Sequence, residues 1–227
     1  MKIIRQIKLI SSLLLSLSLL VSPIPYAQDN DSRVVSRPEK YNIAPDRSIL
    51  KIYIGRAGLL SELGHNHVVV NKAITGELEY IAAPGVSSAT FIIPVHKLVV
   101  DDDNERQLAG IGYESVPSES DIQGTWKNML GPGVLDGDKY PEIKVHVNGI
   151  TSLTSLNRYD IRVDFKGNQI DLNLNGQTQK TGDMIRIDAF FILSHDQLNL
   201  KPYSVLGGML KVAEQLRFEL HIEALPE

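Results

Sequence analysis

Alternation of apolar and polar residues with a period of two dominates the second half of the chain. Residues 143–148 read Ile-Lys-Val-His-Val-Asn, and Ile161, Val163 and Phe165 alternate with Arg162, Asp164 and Lys166. Ile170, Leu172 and Leu174 alternate with Asp171, Asn173 and Asn175, while Ile185, Ile187 and Ala189 flank Arg186 and Asp188. Leu216, Phe218, Leu220 and Ile222 alternate with Arg217, Glu219, His221 and Glu223. Successive side chains of a strand point to opposite faces, so each run predicts a half-buried strand. Less regular runs at 49–54, 67–81 (bent or split at Gly76) and 89–95 predict further strands. Gly167-Asn168 and Gly176 read as hairpin connections between the later ones.

One segment breaks the pattern. From Ser118 to Gly131, Ile122, Trp126, Met129 and Leu130 fall at helical spacing. Ser120 with Gln123 suits a capping box, and Gly131 suits the position just past a helix end. The expected fold is therefore all-β, an antiparallel barrel of about eight strands with one short helix near 120–130. A closed barrel gathers every apolar face into one lumen, which at this size is filled by side chains or holds a small ligand. A sandwich of two sheets would produce the same alternation.

Composition and charge place this domain in a cell. Lys2, Arg5 and Lys8 precede an apolar, serine-interrupted run from Leu9 to Val21, followed by Pro23, Pro25 and Ala27. That is the three-part design of a secretory signal peptide over 1–27, and a bacterial periplasm is the expected destination. No other stretch is apolar for long enough to span a bilayer once that segment is removed. Residues 28–39 read as a flexible lead-in and 40–227 as the barrel domain. The chain has no cysteine, so its fold must rest on its core, and no lipid-modified cysteine tethers it. Cutting after Ala27 takes three cations from a net charge of −4, leaving −7. Such an acidic balance offers no footprint for nucleic acid.

The order and spacing of several segments resemble the YceI-like family. Asp121 to Leu130, then Val134-Leu-Asp136 and Lys139-Tyr-Pro-Glu-Ile143, are similar to that family's central block, in which a short charged helix leads into a strand. Tyr41 to Ser48 is similar to its opening, Tyr159–Leu174 to its hairpin, and Asp183–Ala224 to its last two strands. The resemblance spans nearly the whole chain after the signal segment. It implies a lipocalin-like barrel that holds a polyisoprenoid or isoprenoid quinone in an apolar lumen, as a carrier and not an enzyme. It implies no cofactor beyond such a bound lipid.

A prenyl tail offers no hydrogen bonds, so its affinity must come from leaving water, at about 0.8 kcal/mol per buried methylene. The inward faces of the strands supply the candidate contacts: Ile52, Ile54, Leu78, Phe91, Ile93 and Val145 in the first half. Val163, Phe165, Leu172, Ile187, Phe191, Phe218 and Leu220 follow in the second. Trp126, Met129 and Leu130 add the apolar face of the helix.

Leu63-Gly64-His65-Asn66-His67-Val68 departs from that family pattern. Histidines at i and i+2 share one side of an extended chain and can chelate a metal, so a metal-binding envelope protein using His65 and His67 is the alternative function. Asp101-Asp-Asp-Asn104-Glu105, His96 and His195 are further partners for such a site, although an aspartate run is commonly a solvated loop. Structurally, the rings could instead tie a loop or strand end to nearby backbone. A strand unbroken to Leu78 would place His67 on the outer, polar side. A filled barrel serving as a ligand-free interaction module is the remaining alternative. No nucleophile elbow, phosphate-binding glycine loop or helical His-Glu-x-x-His occurs.

Overall fold

Each alternating run forms a strand, and the strands pair antiparallel, neighbour to neighbour, until the sheet meets itself. A computed structural model describes residues 37–81, 87–149 and 156–227, all within one unit, Val34–Glu227. The expected signal segment and most of the lead-in lie outside the described residues. β1 (Glu39–Ile43) and β2 (Ile49–Ala57) are separated only by a 3-10 turn at Pro45–Arg47. The lead-in thus ends in an ordered strand, beginning one residue before the expected boundary. β3 (His67–Asn71) runs on into β4 (Thr75–Tyr80), and β5 (Ser87–Pro94) into the short β6 (Val99–Val100). β7 (Glu142–Asn148), β8 (Leu156–Phe165), β9 (Asn168–Thr181), β10 (Met184–Ser194), the short β11 (Ser204–Val205) and β12 (Leu210–Pro226) follow.

The pairing order is β1-β4-β5-β7-β8-β9-β10-β12, and β12 returns to β1 through Tyr41 opposite Pro226 and Ile43 opposite Ala224. The same face-to-face order continues along the extensions, with β12 pairing β2, β2 pairing β3 and β3 pairing β6. The result is a closed antiparallel barrel of eight strand positions, the lipocalin-like all-β architecture expected from sequence. Closure leaves no bare edge along the ring.

Two details of the strands differ from expectation. The third strand position breaks at Lys72–Ile74, ahead of Gly76. Gly76 instead marks a close approach: its φ is 146°, and a Cβ there would run into the Thr90 carbonyl of β5. Likewise Gly176 is no turn. It lies inside β9, where a Cβ would sit 2.6 Å from the Tyr159 ring and 2.9 Å from the Asp188 carbonyl oxygen. Both glycines let neighbouring strands pack where a side chain has no room.

There are two short helices among the described residues, both between β6 and β7. α1 (Asp103–Ala109) replaces the solvated loop expected over the aspartate run. Asp102 caps it by accepting the Glu105 N–H at 3.2 Å, the usual work of an aspartate at that position. α1 and Tyr113 cover the outer side of β2 and β3, where Tyr53, Val68 and Val70 are buried. That second covered face explains the unbroken Val68-Val69-Val70 run, since a strand buried on both sides need not alternate. Glu105 anchors the helix through Lys51 at 2.9 Å and Lys72 at 3.1 Å.

α2 (Glu119–Leu130) is the expected helix, but its cap is different. Ser118 and Asp121 form the capping box, with the Asp121 N–H donating to Ser118 Oγ and the Ser118 N–H to Asp121 Oδ2. Ser120 already lies in the first turn.

Candidate functional site

The barrel is not filled. Its inner faces surround a cavity of about 400 Å³ whose walls are almost wholly apolar. A space of that size falls in the range of small-ligand pockets. One end is plugged. There Tyr41, Ile43, Leu78, Ile185 and Ala224 are buried in one cluster, and Tyr159 hydroxyl bonds Thr178 at 2.7 Å across β8 and β9. The other end opens among the last residues of β2, the start of β12, the segment after β10, and α2.

Most sequence-derived candidates line this cavity. Ile52 and Ile54 face it from β2, Phe91 and Ile93 from β5, and Val145 from β7. Val163 and Phe165 face it from β8, Leu172 from β9, and Ile187 and Phe191 from β10. Phe218 and Leu220 contribute from β12, with the Phe191 and Phe218 rings stacked at 5.0 Å between centroids. Met129 reaches it from α2.

Three candidates do not line the cavity. Leu78, 1% exposed, pairs with Tyr41 and Ala89 in the plugged end. Trp126 lies outside the lumen, with its indole N–H donating to the Leu98 carbonyl at 3.1 Å. Leu130 packs in a second cluster with Val95, Leu98 and Leu135, beneath α2. Helical spacing correctly gave α2 an apolar face, yet that face is divided between the lumen and the outer layer of the wall.

Sequence reasoning missed the lining residues that sit in connections. Leu98, Val134, Leu135, Leu198, Leu200 and Tyr203 all border the cavity. No period-two or helical repeat marks them; only apolar character within polar loops could have done so.

The mouth carries the polar groups. Arg56, His65, His67, Thr125, Asn128, His195, Lys201 and Lys211 border the lumen with the hydrocarbon walls behind them. His67 therefore faces inward, contrary to the parity expectation. The break at Lys72–Ile74 reverses the count, so His67 shares its side with Val69, whereas Leu78 is inward by the other parity.

His67 is not free to chelate through both nitrogens. Its Nδ1 donates to Asp101 Oδ2 at 2.6 Å. Asp101 Oδ1 accepts from the Val68 N–H at 3.0 Å and from Arg106 Nη1 at 2.6 Å. Burial is the largest influence on Asp101 and raises its pKa. The His67 and Val68 hydrogen bonds and the charges of His67 and Arg106 outweigh it and hold the carboxyl below its ordinary value. Arg106 also donates to the Asn66 carbonyl at 2.7 Å and to the Ser115 carbonyl. This network ties the β2–β3 connection, α1 and the segment after it into one rim.

His65 and His67 lie edge to face with ring centroids 6.4 Å apart, and His65 Nδ1 is 3.4 Å from Ser115 Oγ. His195 Nδ1 donates to the Glu214 carbonyl at 2.9 Å, and His96 Nε2 to the Gly137 carbonyl at 3.1 Å. His195 and His96 are thus each held on a backbone carbonyl, and only His65 and His67 are in ring contact. Among the described residues, no group of three or more His, Cys, Asp or Glu side chains converges as a metal site would.

The fold and its hollow lumen define a lipocalin-like antiparallel barrel. Solved structures carry the same architecture. Burkholderia cenocepacia BcnA superposes with a TM-score of 0.56 at 10% identity, over 80% of this chain and 98% of that one. A polyisoprenoid binding domain from Saccharophagus degradans, implicated in plant cell wall breakdown, superposes with a TM-score of 0.52 at 12% identity, over 82% and 98%. No protein-family model and no curated relative matches the sequence. The resemblance to YceI-like proteins is thus borne out as a shared fold. Among the described residues, no helix is long and apolar enough to cross a membrane.

Proposed function

We propose that this protein is an exported carrier or reservoir that holds the hydrocarbon part of an isoprenoid lipid or quinone in its barrel. The observation that carries this reading is the lumen itself, about 400 Å³ of apolar space with polar groups confined to its mouth. A linear hydrocarbon gains affinity only by leaving water, and each methylene taken in contributes about 0.8 kcal/mol before the cost of ordering the chain. The polyisoprenoid binding domain of similar fold supports that ligand class. The basic, apolar, proline-broken start of the sequence supports export to the periplasm. In this reading the protein acts by binding: the two buried acids among the described residues are both engaged structurally, Asp101 by His67 and Arg106 and Glu105 by Lys51 and Lys72.

Native mass spectrometry and organic extraction of protein purified from its own host test this directly. The expected result is a co-purifying lipid with repeating isoprene units. Protein that is recovered empty and takes up no prenyl-chain probe would end the proposal.

A further inference from the structure

We propose that the open end of the barrel docks on an anionic lipid bilayer through an apolar loop flanked by lysines. The segment from Lys201 to Lys211 reads Lys-Pro-Tyr-Ser-Val-Leu-Gly-Gly-Met-Leu-Lys and contains no acidic residue. It forms a protruding hairpin, with Ser204 opposite Lys211 and Val205 opposite Leu210. Tyr203, Val205, Leu206 and Met209 at its tip are exposed, Leu206 by 57%. A polar chain would be the ordinary choice for a loop in water.

The neighbouring connection extends the same surface. The Leu60 N–H donates to the Met209 carbonyl at 2.8 Å, fixing the β2–β3 turn against the hairpin. Beside that bond Leu59 is 86% exposed, and Leu63 is exposed as well. Exposed aliphatic groups from two tethered segments therefore gather at the end where the cavity opens. Contiguous apolar exposure of this kind marks a surface that is covered in use.

Charge selects the occupant. Lys201 and Lys211 stand at the two ends of the apolar tip, and among the described residues neither has an ion-pair partner. Of the acids nearby, Glu62 is paired with Arg56 at 2.9 Å and Glu114 accepts the Gly112 N–H at 2.8 Å; Asp196 and Glu214 are exposed but lie outside the loop, within which the two lysines are the only charges. The chain after the expected signal segment is acidic as a whole, so attraction to a bilayer of negative charge has to come from a local cationic patch such as this one. Aliphatic side chains that enter the acyl boundary, with lysines at headgroup level, are the chemistry of an interfacial anchor. Both segments border the cavity, through Gly64 and His65 on one and Lys201, Tyr203 and Val205 on the other, so docking would set the lumen against the lipid phase.

Vesicle flotation tests the surface, with vesicles of phosphatidylcholine alone and of an equal mixture with phosphatidylglycerol. The purified protein is expected to float with the mixed vesicles about tenfold more strongly than with the neutral ones, and less as salt rises. Lys201→Glu/Lys211→Glu should abolish the preference for the mixture. Leu206→Ser/Met209→Ser should weaken binding to both about tenfold. Leu156→Ser, which removes an exposed leucine at the far end of β8, should change neither. Circular dichroism confirms that each variant is folded. Failure of the wild type to float with either vesicle, or flotation unaffected by both loop variants, overturns the proposal, as does a loop that binds a host protein but no lipid. The outcome is separable from the carrier function, because flotation without any extractable isoprenoid would keep the docking surface and remove the carrier.

Discussion

His67 and Asp101 join the lumen to the helical insertion: the ring of His67 borders the cavity while its Nδ1 rests 2.6 Å from a carboxylate with a fully buried side chain. Removing that carboxylate would leave Arg106 buried without its ion-pair partner. Breaking such a pair costs about 3 kcal/mol, most of it the penalty of the abandoned charge. Asp101→Asn is therefore expected to lower the free energy of unfolding by that amount in urea titrations at neutral pH. The sign with pH follows from the depressed pKa of Asp101. Its contribution is fully present above the ordinary carboxylate value of 3.8 and is lost as pH falls through the lower folded value. The gap between wild type and Asp101→Asn should accordingly narrow below about pH 4. A gap that stayed constant down to acid unfolding would show that the carboxylate does not hold the rim.

Filling the lumen should separate binding from folding. Val163 and Leu172 face the cavity from adjacent strands β8 and β9. Val163→Trp/Leu172→Trp places two indole rings in space that is already empty, so stability should change by less than about 2 kcal/mol. Binding of a prenyl-chain probe should fall at least tenfold, equivalent to about 1.4 kcal/mol. Fluorescence competition and urea unfolding measure the two effects on the same sample. Unchanged probe binding in a folded variant would place the ligand elsewhere.

The barrel strands were legible because each buries one face, and a period of two records that directly. Ile161, Val163 and Phe165 needed no more than their alternation to be placed inside. β3 was harder to orient: α1 covers its outer side, so Val68, Val69 and Val70 are all buried and the parity of His67 could not be read from polarity. α1 itself was hidden by its charge. Asp102, Asp103 and Glu105 look like a solvated run, yet one caps a helix and another pairs with Lys51 and Lys72. The mouth was least legible, since Leu198, Leu200 and Tyr203 gain their inward position from tertiary packing and from no local repeat.

Gly76 offers a test of the strand geometry that sequence alone misjudged. Its φ of 146° is closed to residues with a side chain, and a Cβ would meet the Thr90 carbonyl in the paired strand β5. Gly76→Ala should destabilise the protein by at least about 2 kcal/mol, from backbone strain and the forced separation of β4 and β5. Thermal unfolding followed by circular dichroism reads the loss. An unchanged midpoint would mean that β4 carries its bend at Gly76 after all and relaxes there.

Trp126 is the only tryptophan in the chain, so its emission reports α2 without interference. Its indole N–H donates to the Leu98 carbonyl at 3.1 Å, holding α2 against the end of β5 and β6 outside the lumen. Trp126→Phe keeps most of the apolar contact and removes the hydrogen bond, which should cost about 1 kcal/mol in urea unfolding. Because the ring does not border the cavity, affinity for a prenyl-chain probe should stay within about twofold, a difference under 1 kcal/mol. Met129, three positions along the same helix and bordering the lumen, supplies the contrast. Met129→Lys should weaken the probe at least tenfold, because a charge would need to lie against hydrocarbon. Calorimetric titration of both variants distinguishes the two sides of α2. Equal loss of affinity in the two would show that the helix face is not divided between lumen and wall.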